Sequence, residues 1–309
     1  ALSRCSALQE FEAVYGEMKR DGVVPDDKTL VSALTCYGGA GRAQELEAAF
    51  QQYVQGQKQA GKPMSPFVFS ACMKFYSRQG DVAKCRQILD LWQQYEETRN
   101  MYLVNSLMAA HAQVGDCEGC LEVFQQEFLG SSGGDVNGPS HGAAAVPGRL
   151  GAVGRVHVQS TTLNTLMLSY IRAGRLDEAR RVLGLFETLE VDLQSTTFMM
   201  LLGAFADKGN VAAVRALIAH MQRLRLTTGA RVYSLLVRAM HLRGDPPQAL
   251  EAEFDAMMKR NAKPLPVAFE ALYLAYKRAN DFAGCETTLR RMRLLGIPLT
   301  EAITADVNR

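Results

Sequence analysis

Few residues in this sequence have types and spacings that could do chemistry. Cys117 and Cys120 form its one Cys-x-x-Cys pair, and His111 lies six residues before it. Thiolates and imidazole are zinc ligands, but a structural zinc takes four, and no further pair stands at suitable spacing. His111 falls in a column shared with Tyr76 and Tyr170, which reads as a buried aromatic position. Cys85, Cys120 and Cys285 share a column with Ala179 and Ala249. A small residue there lets helices approach, so these cysteines read as small hydrophobes. Gly38-Gly-Ala-Gly41 has the glycines of a phosphate-cradling loop, without a preceding strand or a following Lys-Ser/Thr. No His-x-Glu accompanies a Pro-Cys-x-x-Cys, the zinc-deaminase pattern, and no acidic cluster suggests a nuclease. The expectation is a chain that is not an enzyme and carries no metal and no cofactor.

The glycine run has another explanation, which comes from the elements around it. Gly41 belongs to a series in which an aromatic residue, His or Met is followed by three residues, then Gly, then a polar residue. The series runs Tyr37…Gly41-Arg42, Tyr76…Gly80-Asp81, His111…Gly115-Asp116, Tyr170…Gly174-Arg175, Phe205…Gly209-Asn210 and Met240…Gly244-Asp245. It closes with Tyr276…Asn280-Asp281, where Asn replaces Gly. The intervals are 39, 35, 59, 35, 35 and 36 residues, so the sequence repeats with a period near 35. The long interval exceeds the period by 24 residues and contains 129–157, rich in Gly, Ser and Ala. Such a stretch has little to bury and reads as a flexible insertion loop between repeats.

Each period reads as two helices. Leu163, Leu166, Met167 and Tyr170 recur at i, i+3, i+4 and i+7, as do Phe198, Leu201, Leu202 and Phe205. The Gly or Asn then stops the helix in a left-handed conformation. A second helix follows, with Leu176, Ala179, Leu183 and Phe186, or Phe282, Cys285, Leu289 and Met292, as its expected buried face. One hairpin cannot bury its own apolar face, so the hairpins must stack.

Composition agrees. Of 309 residues, 48% are apolar and 21% charged, enough to bury a core. No run approaches the roughly 18 apolar residues of a membrane span. Seven cysteines are too sparse for a disulfide scaffold. The net charge of +2 divides unevenly, with −3 over 1–156 and +5 over 157–309, so the second half is the better partner for a polyanion. The chain opens at Ala1 with no apolar signal core, as a processed chain would.

Two stretches carry a family resemblance. Gly22-Val-Val-Pro25-Asp26 closes one unit, and Ser160-Thr-Thr-Leu-Asn164-Thr-Leu-Met-Leu-Ser-Tyr170-Ile-Arg-Ala-Gly174-Arg-Leu-Asp-Glu-Ala179 opens another. Both resemble the pentatricopeptide repeat, the helical hairpin of organellar RNA-binding proteins. The tetratricopeptide repeat is the near alternative, but its Trp and Leu-Gly signature is missing. The resemblance implies an all-α, right-handed α-solenoid of about seven 35-residue helix-turn-helix repeats. The expected domains are N-terminal repeats over 1–128, the insertion over 129–157 and C-terminal repeats over 158–309.

It also implies a binding surface. In this family RNA lies along the concave side, roughly one base per repeat. Base choice rests on the fifth residue of the first helix together with the last residue of the repeat. Here those pairs are Ser70 with Asn100, Asn105 with Gln159, Asn164 with Gln194, Met199 with Gly229, and Ser234 with Leu265. Val31 and Glu270 occupy the fifth position of the outermost repeats. Only Ser70 with Asn100 resembles a regular pair, of the adenine-preferring kind, and Asn164 with Gln194 is a half match. The rest depart from the family's pattern, which argues against a long sequence-specific footprint. The second column holds Lys28, Phe67, Tyr102, Thr161, Thr196, Arg231 and Val267. Phe67 and Tyr102 could stack on bases or pack on the neighbouring hairpin. Arg78, Arg172 and Arg278, two residues before the turn, are candidate phosphate contacts, with Asp207 breaking that column. The cluster Arg290, Arg291 and Arg293 reads as a solvated face of a second helix. The implied partners are single-stranded or ribosomal RNA and neighbouring proteins of a large organellar complex, with no membrane and no small-molecule substrate. The implied location is mitochondrial, or alternatively chloroplast. A structural subunit of a mitochondrial ribosome, working mainly through protein contacts, is the second reading.

Overall fold

A computed structural model describes residues 2–96, 100–129, 158–260 and 262–307. Nearly all of the 129–157 insertion therefore lies outside the described residues. Those described form helices and turns only, and none of the helices is long and apolar enough to cross a membrane.

The helices fall into two compact units, Ala1–Val191 and Asp192–Arg309. In the first unit the leading helices of successive hairpins are α2 (Asp27–Ala40), α4 (Pro66–Gln79), α6 (Met101–Gln113) and α8 (Ser160–Arg172). These pack side by side as one layer. The trailing helices are α1 (Leu2–Arg20), α3 (Ala43–Ala60), α5 (Val82–Tyr95), α7 (Cys117–Phe124) and α9 (Leu176–Thr188). α7 runs on as a π-helical turn, Gln125–Leu129. The second unit repeats the plan. Its leading helices are α10 (Ser195–Asp207), α12 (Ala230–Arg243), α14 (Pro266–Arg278) and the short α16 (Glu301–Val307). Its trailing helices are α11 (Val211–Arg223), α13 (Pro247–Lys259) and α15 (Phe282–Leu294).

The phrase that marks the repeat works at the turn inside each hairpin. Gly41 adopts φ 74°, and Arg42 N–H returns to the Tyr37 carbonyl at 2.9 Å. That satisfies a carbonyl which the end of α2 would otherwise leave bare. Asn280 takes the same left-handed conformation, φ 57°, with Asp281 N–H on the Tyr276 carbonyl at 3.0 Å. The polar residue that follows caps the next helix. Asp81, Asp116, Asn210 and Asp281 each accept from the backbone N–H three residues on. Where the residue is Arg, it pairs instead with Glu three residues on, Arg42 with Glu45 and Arg175 with Glu178.

Within each unit, leading and trailing layers meet over an apolar core. Phe69 stacks edge-on to Phe50 at 5.0 Å and to Trp92 at 5.2 Å, and Phe254 meets Phe269 at 4.7 Å. Burying each such ring stabilises the fold by ~1.5–3 kcal/mol. The aromatic column also carries polar tips. Tyr76 donates to Glu47 at 2.6 Å and Tyr276 to Glu251 at 2.7 Å, both carboxylates lying on the preceding trailing helix. His111 occupies this column, is buried, and meets Asp116 through Nδ1 at 2.8 Å. Close approach there requires glycine. A Cβ on Gly119 would overlap His111 and Asp116, and one on Gly284 would overlap the Tyr276 ring.

Several positions differ from the sequence expectation. Leu176 and Leu289, expected on buried faces, are half-buried. Phe282, expected on a buried face, is 73% exposed. Its counterpart Cys117 is covered by Arg175 of the following hairpin, at 3.5 Å, and no such residue follows α15 among those described. Ala249 is only half-buried, and Leu250 takes the small-residue column. The cause is the 36-residue repeat, whose extra residue lies in the Pro246-Pro247 turn, so α13 starts one position late. Cys85, Cys120 and Cys285 are buried in that column as expected, and burial pushes the Cys120 thiol up to about 12.

Candidate nucleic-acid interface

The leading-helix layer of the first unit sets the candidate site. Helices α4 and α6 each begin at an extended residue, Ser65 and Asn100, so the second residue projects from the first turn with no earlier turn to cover it. Phe67 on α4 and Tyr102 on α6 stand at this position, 73% and 76% exposed. The packing alternative is thus not what the structure adopts. Single exposed aromatics need no explanation, but these two stand at equivalent positions of adjacent, directly packed helices. Lys28 and Thr161 extend the column on either side and are exposed.

Below Phe67 the exposed stripe of α4 continues through half-buried Ser70 to Lys74 and Arg78. The spacings of 3, 7 and 11 residues keep one helix face. Lys74 and Arg78 are exposed and without an ion pair among the described residues. Lys74 escaped the sequence reading. Its signal was available, a cation at i+7 from an exposed aromatic. The stripe thus offers an aromatic plane, a hydroxyl and two free cations, a set that suits a base and the phosphates beside it.

The other candidate residues are placed differently. Asn100 caps α6, its Oδ1 accepting from Tyr102 N–H at 3.0 Å, which fixes the turn that presents the Tyr102 ring. Asn105 Oδ1 accepts from Thr162 Oγ1 at 2.9 Å, so it joins α6 to α8. Asn164 Oδ1 is buried and accepts no hydrogen bond. Gln194 is exposed at the start of α10, in the other compact unit from Asn164. Ser234 is fully buried, and its Oγ accepts from Leu265 N–H at 3.2 Å. The expected pair Ser234 and Leu265 is therefore brought together, but as an internal contact whose hydroxyl is withdrawn from solvent.

Two of the three candidate phosphate arginines serve the fold. Arg172 Nη1 donates to the Ala112 carbonyl at 3.0 Å and to Gln113 Oε1 at 2.6 Å. Arg278 donates to the carbonyls of His241 at 3.1 Å and Asp245 at 3.0 Å. Each guanidinium caps the end of the preceding leading helix, where bare carbonyls and the helix dipole favour a cation. On the second unit's leading face, Arg238 pairs with Asp207 at 3.0 Å and Lys277 with Asp306. Among the described residues no three His, Cys, Asp or Glu side chains converge as metal ligands.

Comparison with known proteins agrees with this architecture. The pentatricopeptide-repeat profile matches residues 102–126 and 161–189, and a tetratricopeptide-repeat profile matches 230–252. A pentatricopeptide repeat-containing protein of Arabidopsis thaliana, chloroplastic by its name, is 27% identical over 127 residues, covering 40% of this chain and 23% of the relative. Among solved structures, the pentatricopeptide repeat protein PPR10 in complex with an 18-nucleotide psaJ RNA element superposes with a TM-score of 0.68 at 17% identity. That match covers 94% of this chain and 39% of PPR10. PPR10 from maize in a second crystal structure gives a TM-score of 0.57 at 16% identity, covering 94% of this chain and 42% of PPR10. This chain thus spans less than half the length of the proteins it matches. Taken with the glycine-phased hairpins, the findings identify the chain as one that carries pentatricopeptide repeats in a helical-solenoid fold.

Proposed function

We propose that this chain binds single-stranded RNA through the leading-helix face of its first unit, with affinity from stacking and phosphate contact and little base readout. The observation that carries the proposal is the exposed pair Phe67 and Tyr102 on adjacent hairpins, above the free cations Lys74 and Arg78. Stacking one base on an aromatic contributes ~1–3 kcal/mol and tolerates any base. Half-buried Ser70 supplies a hydroxyl with which a base edge could be read, while Asn100, its expected pair, has its Oδ1 engaged by Tyr102 N–H. With Ser234 buried, Asn105 engaged, and Arg172 and Arg278 bonded within the chain, the footprint is short. The 18-nucleotide RNA element held in the PPR10 complex supports RNA as the ligand class. The name of the Arabidopsis relative supports an organellar setting and favours the chloroplast over the mitochondrion.

A short, weakly reading footprint suits a subunit of a ribonucleoprotein assembly, where proteins supply the remaining contacts. Whether that assembly is ribosomal is decided by crosslinking in native extract and sequencing the attached RNA. Ribosomal RNA supports the ribosomal reading, one messenger supports a transcript-specific protein, and no RNA overturns the proposal.

A further inference from the structure

The second unit carries a surface that the leading-helix face does not use. Its trailing helices all run in one direction, so their C-terminal ends share one edge. Side-chain bridges join the bodies of the trailing helices, Arg215 to Glu253 from α11 to α13 and Arg291 to Glu251 from α15 to α13, each at 3.1 Å. At every step along the edge an exposed aliphatic side chain stands beside cations. α11 ends in Arg223-Leu224-Arg225, α13 in Met258-Lys259-Arg260 and α15 in Arg293-Leu294-Leu295. Leu294 is 78% exposed. Arg223, Arg225, Lys259 and Arg293 have no ion pair among the described residues. The unit as a whole, 192–309, has 16 Lys and Arg against 11 Asp and Glu.

The helix dipole favours cations at C-terminal ends, but it does not account for the aliphatic residues. Arg225 holds φ 56° and Glu190 φ 55°, where Gly22, Gly61 and Gly296 close other trailing helices, with Leu226 N–H returning to the Met221 carbonyl at 2.9 Å. Between α11 and α13 the same layer has a recess of about 200 Å³. Ile218, Tyr233 and Leu236 form its floor. At its rim Arg215 and Arg260 share Glu253, at 3.1 and 3.6 Å, two cations to one carboxylate, and the Arg260 guanidinium lies over the Tyr233 ring at 4.8 Å. An apolar cavity of about 150 Å³ already accommodates benzene, so the recess has room for one large side chain.

We propose that this edge docks an acidic amphipathic protein segment. Its carboxylates would meet the cations, its aliphatic side chains would cover Leu224, Met258 and Leu294, and one anchor would enter the recess. RNA is disfavoured because Leu and Met contribute neither stacking nor phosphate contact, whereas the first unit's face offers aromatic rings.

The test uses the full chain and a fluorescein-labelled helical peptide with leucines at i, i+3, i+4 and i+7 flanked by glutamates. A control peptide carries Gln for Glu and Ser for Leu. The proposal expects the first peptide alone to bind. R223E/R293E and L224S/L294S should each weaken it about tenfold or more, with circular dichroism unchanged. F67A/Y102A should leave it unaffected, which separates this site from the RNA face. R225G should raise the melting temperature while weakening the peptide, an outcome that a purely structural arginine would not give. Equal binding of both peptides overturns the proposal. So does loss of homopolymer RNA binding, of phosphatidylserine vesicle binding, or of self-association in sedimentation, if the edge variants cause it in place of peptide loss.

Discussion

Position two of the leading helices presents Phe67 and Tyr102 to solvent in the first unit, and Thr196, Arg231 and half-buried Val267 in the second. The position two residues before the turn varies within each unit. It leaves Arg78 free in the first unit but holds Arg172 bonded to the Ala112 carbonyl there, and in the second it holds Asp207 paired with Arg238, and Arg278 bonded to two carbonyls. One hairpin plan thus supports two surfaces. The first unit places unspent aromatic and cationic groups on its leading helices. The second has no exposed aromatic at that position, pairs Arg238 and Lys277 on that face while Arg231 stays exposed, and carries further unspent cations at the ends of its trailing helices. In a stacked repeat, function is therefore assigned by which side chains the neighbouring hairpin consumes, and residue type in a column is only the starting point.

The comparison breaks most directly at the aromatic pair. F67A/Y102A should lower affinity for a homopolymer RNA by about 5- to 150-fold per ring, the equivalent of ~1–3 kcal/mol for each stacked base. The matching change in the second unit, R231A/V267A, should lower it less than about threefold. Fluorescence anisotropy reads both, and the melting temperature should hold for F67A/Y102A because neither ring is buried. Equal losses from the two units would erase the distinction drawn between them.

The shared plan can be tested in the same way. Gly119 and Gly284 occupy one column of the two units, each under a side chain of the aromatic column. Gly119→Ala and Gly284→Ala should each destabilise by ~1–3 kcal/mol, as overpacking does, measured by urea unfolding. Gly203, with nothing near its missing Cβ, is the control, and alanine there should stabilise by ~0.5–1 kcal/mol through helix propensity. A harmless Gly284→Ala would mean that the hairpins of the second unit close differently from those of the first.

Much of this fold was legible because each hairpin needs a left-handed residue and a helix cap at fixed positions, and few residue types can serve there. Gly80-Asp81 and Gly115-Asp116 therefore announce a turn without any knowledge of their surroundings. The site was less legible because exposure depends on partners remote in sequence. Arg172 looks like Arg78, but its guanidinium reaches the Ala112 carbonyl, 60 residues away. Ser234 matches Ser70 in column, yet Leu265 draws it inside. Phe67 could face either way until the angle of α4 against its neighbours was known. Lys74 needed only the helical period counted from Phe67, and so was within reach of the sequence.

The arginine column sharpens the comparison with smaller effects. R172A and R278A each remove hydrogen bonds from an exposed guanidinium to the preceding helix end. Each should cost ~0.5–1.5 kcal/mol of stability, read by urea unfolding. Arg78→Ala should cost none of that stability. It should instead reduce the slope of log affinity for RNA against log salt by about 0.7, the value for one phosphate contact on a single strand. A stability loss for Arg78→Ala equal to that of Arg172→Ala would remove Arg78 from the RNA face.

The smallest effect should come from the insertion in the first unit. α7 with its π-helical turn and α8 flank it in sequence, and the leading helices on its two sides, α6 and α8, pack directly against each other. The seam between their hairpins is stitched by Thr162 to Asn105 at 2.9 Å, Arg172 to Ala112 at 3.0 Å and Arg175 to Glu118 at 2.9 Å. None of these bonds involves a residue of the insertion. Loop length enters stability only through closure entropy, about 0.6 kcal/mol for each doubling. Replacing 131–156 with a Gly-Ser linker about half as long should therefore raise stability by ~0.6 kcal/mol at most. In a domain of this size that shifts the melting temperature by about 1–3 °C. The joined hairpins should then behave like the uninterrupted ones of the second unit. A cooperative loss of several kcal/mol on excision would show that the insertion packs against the first unit, and the likeness of the two units would end at this seam.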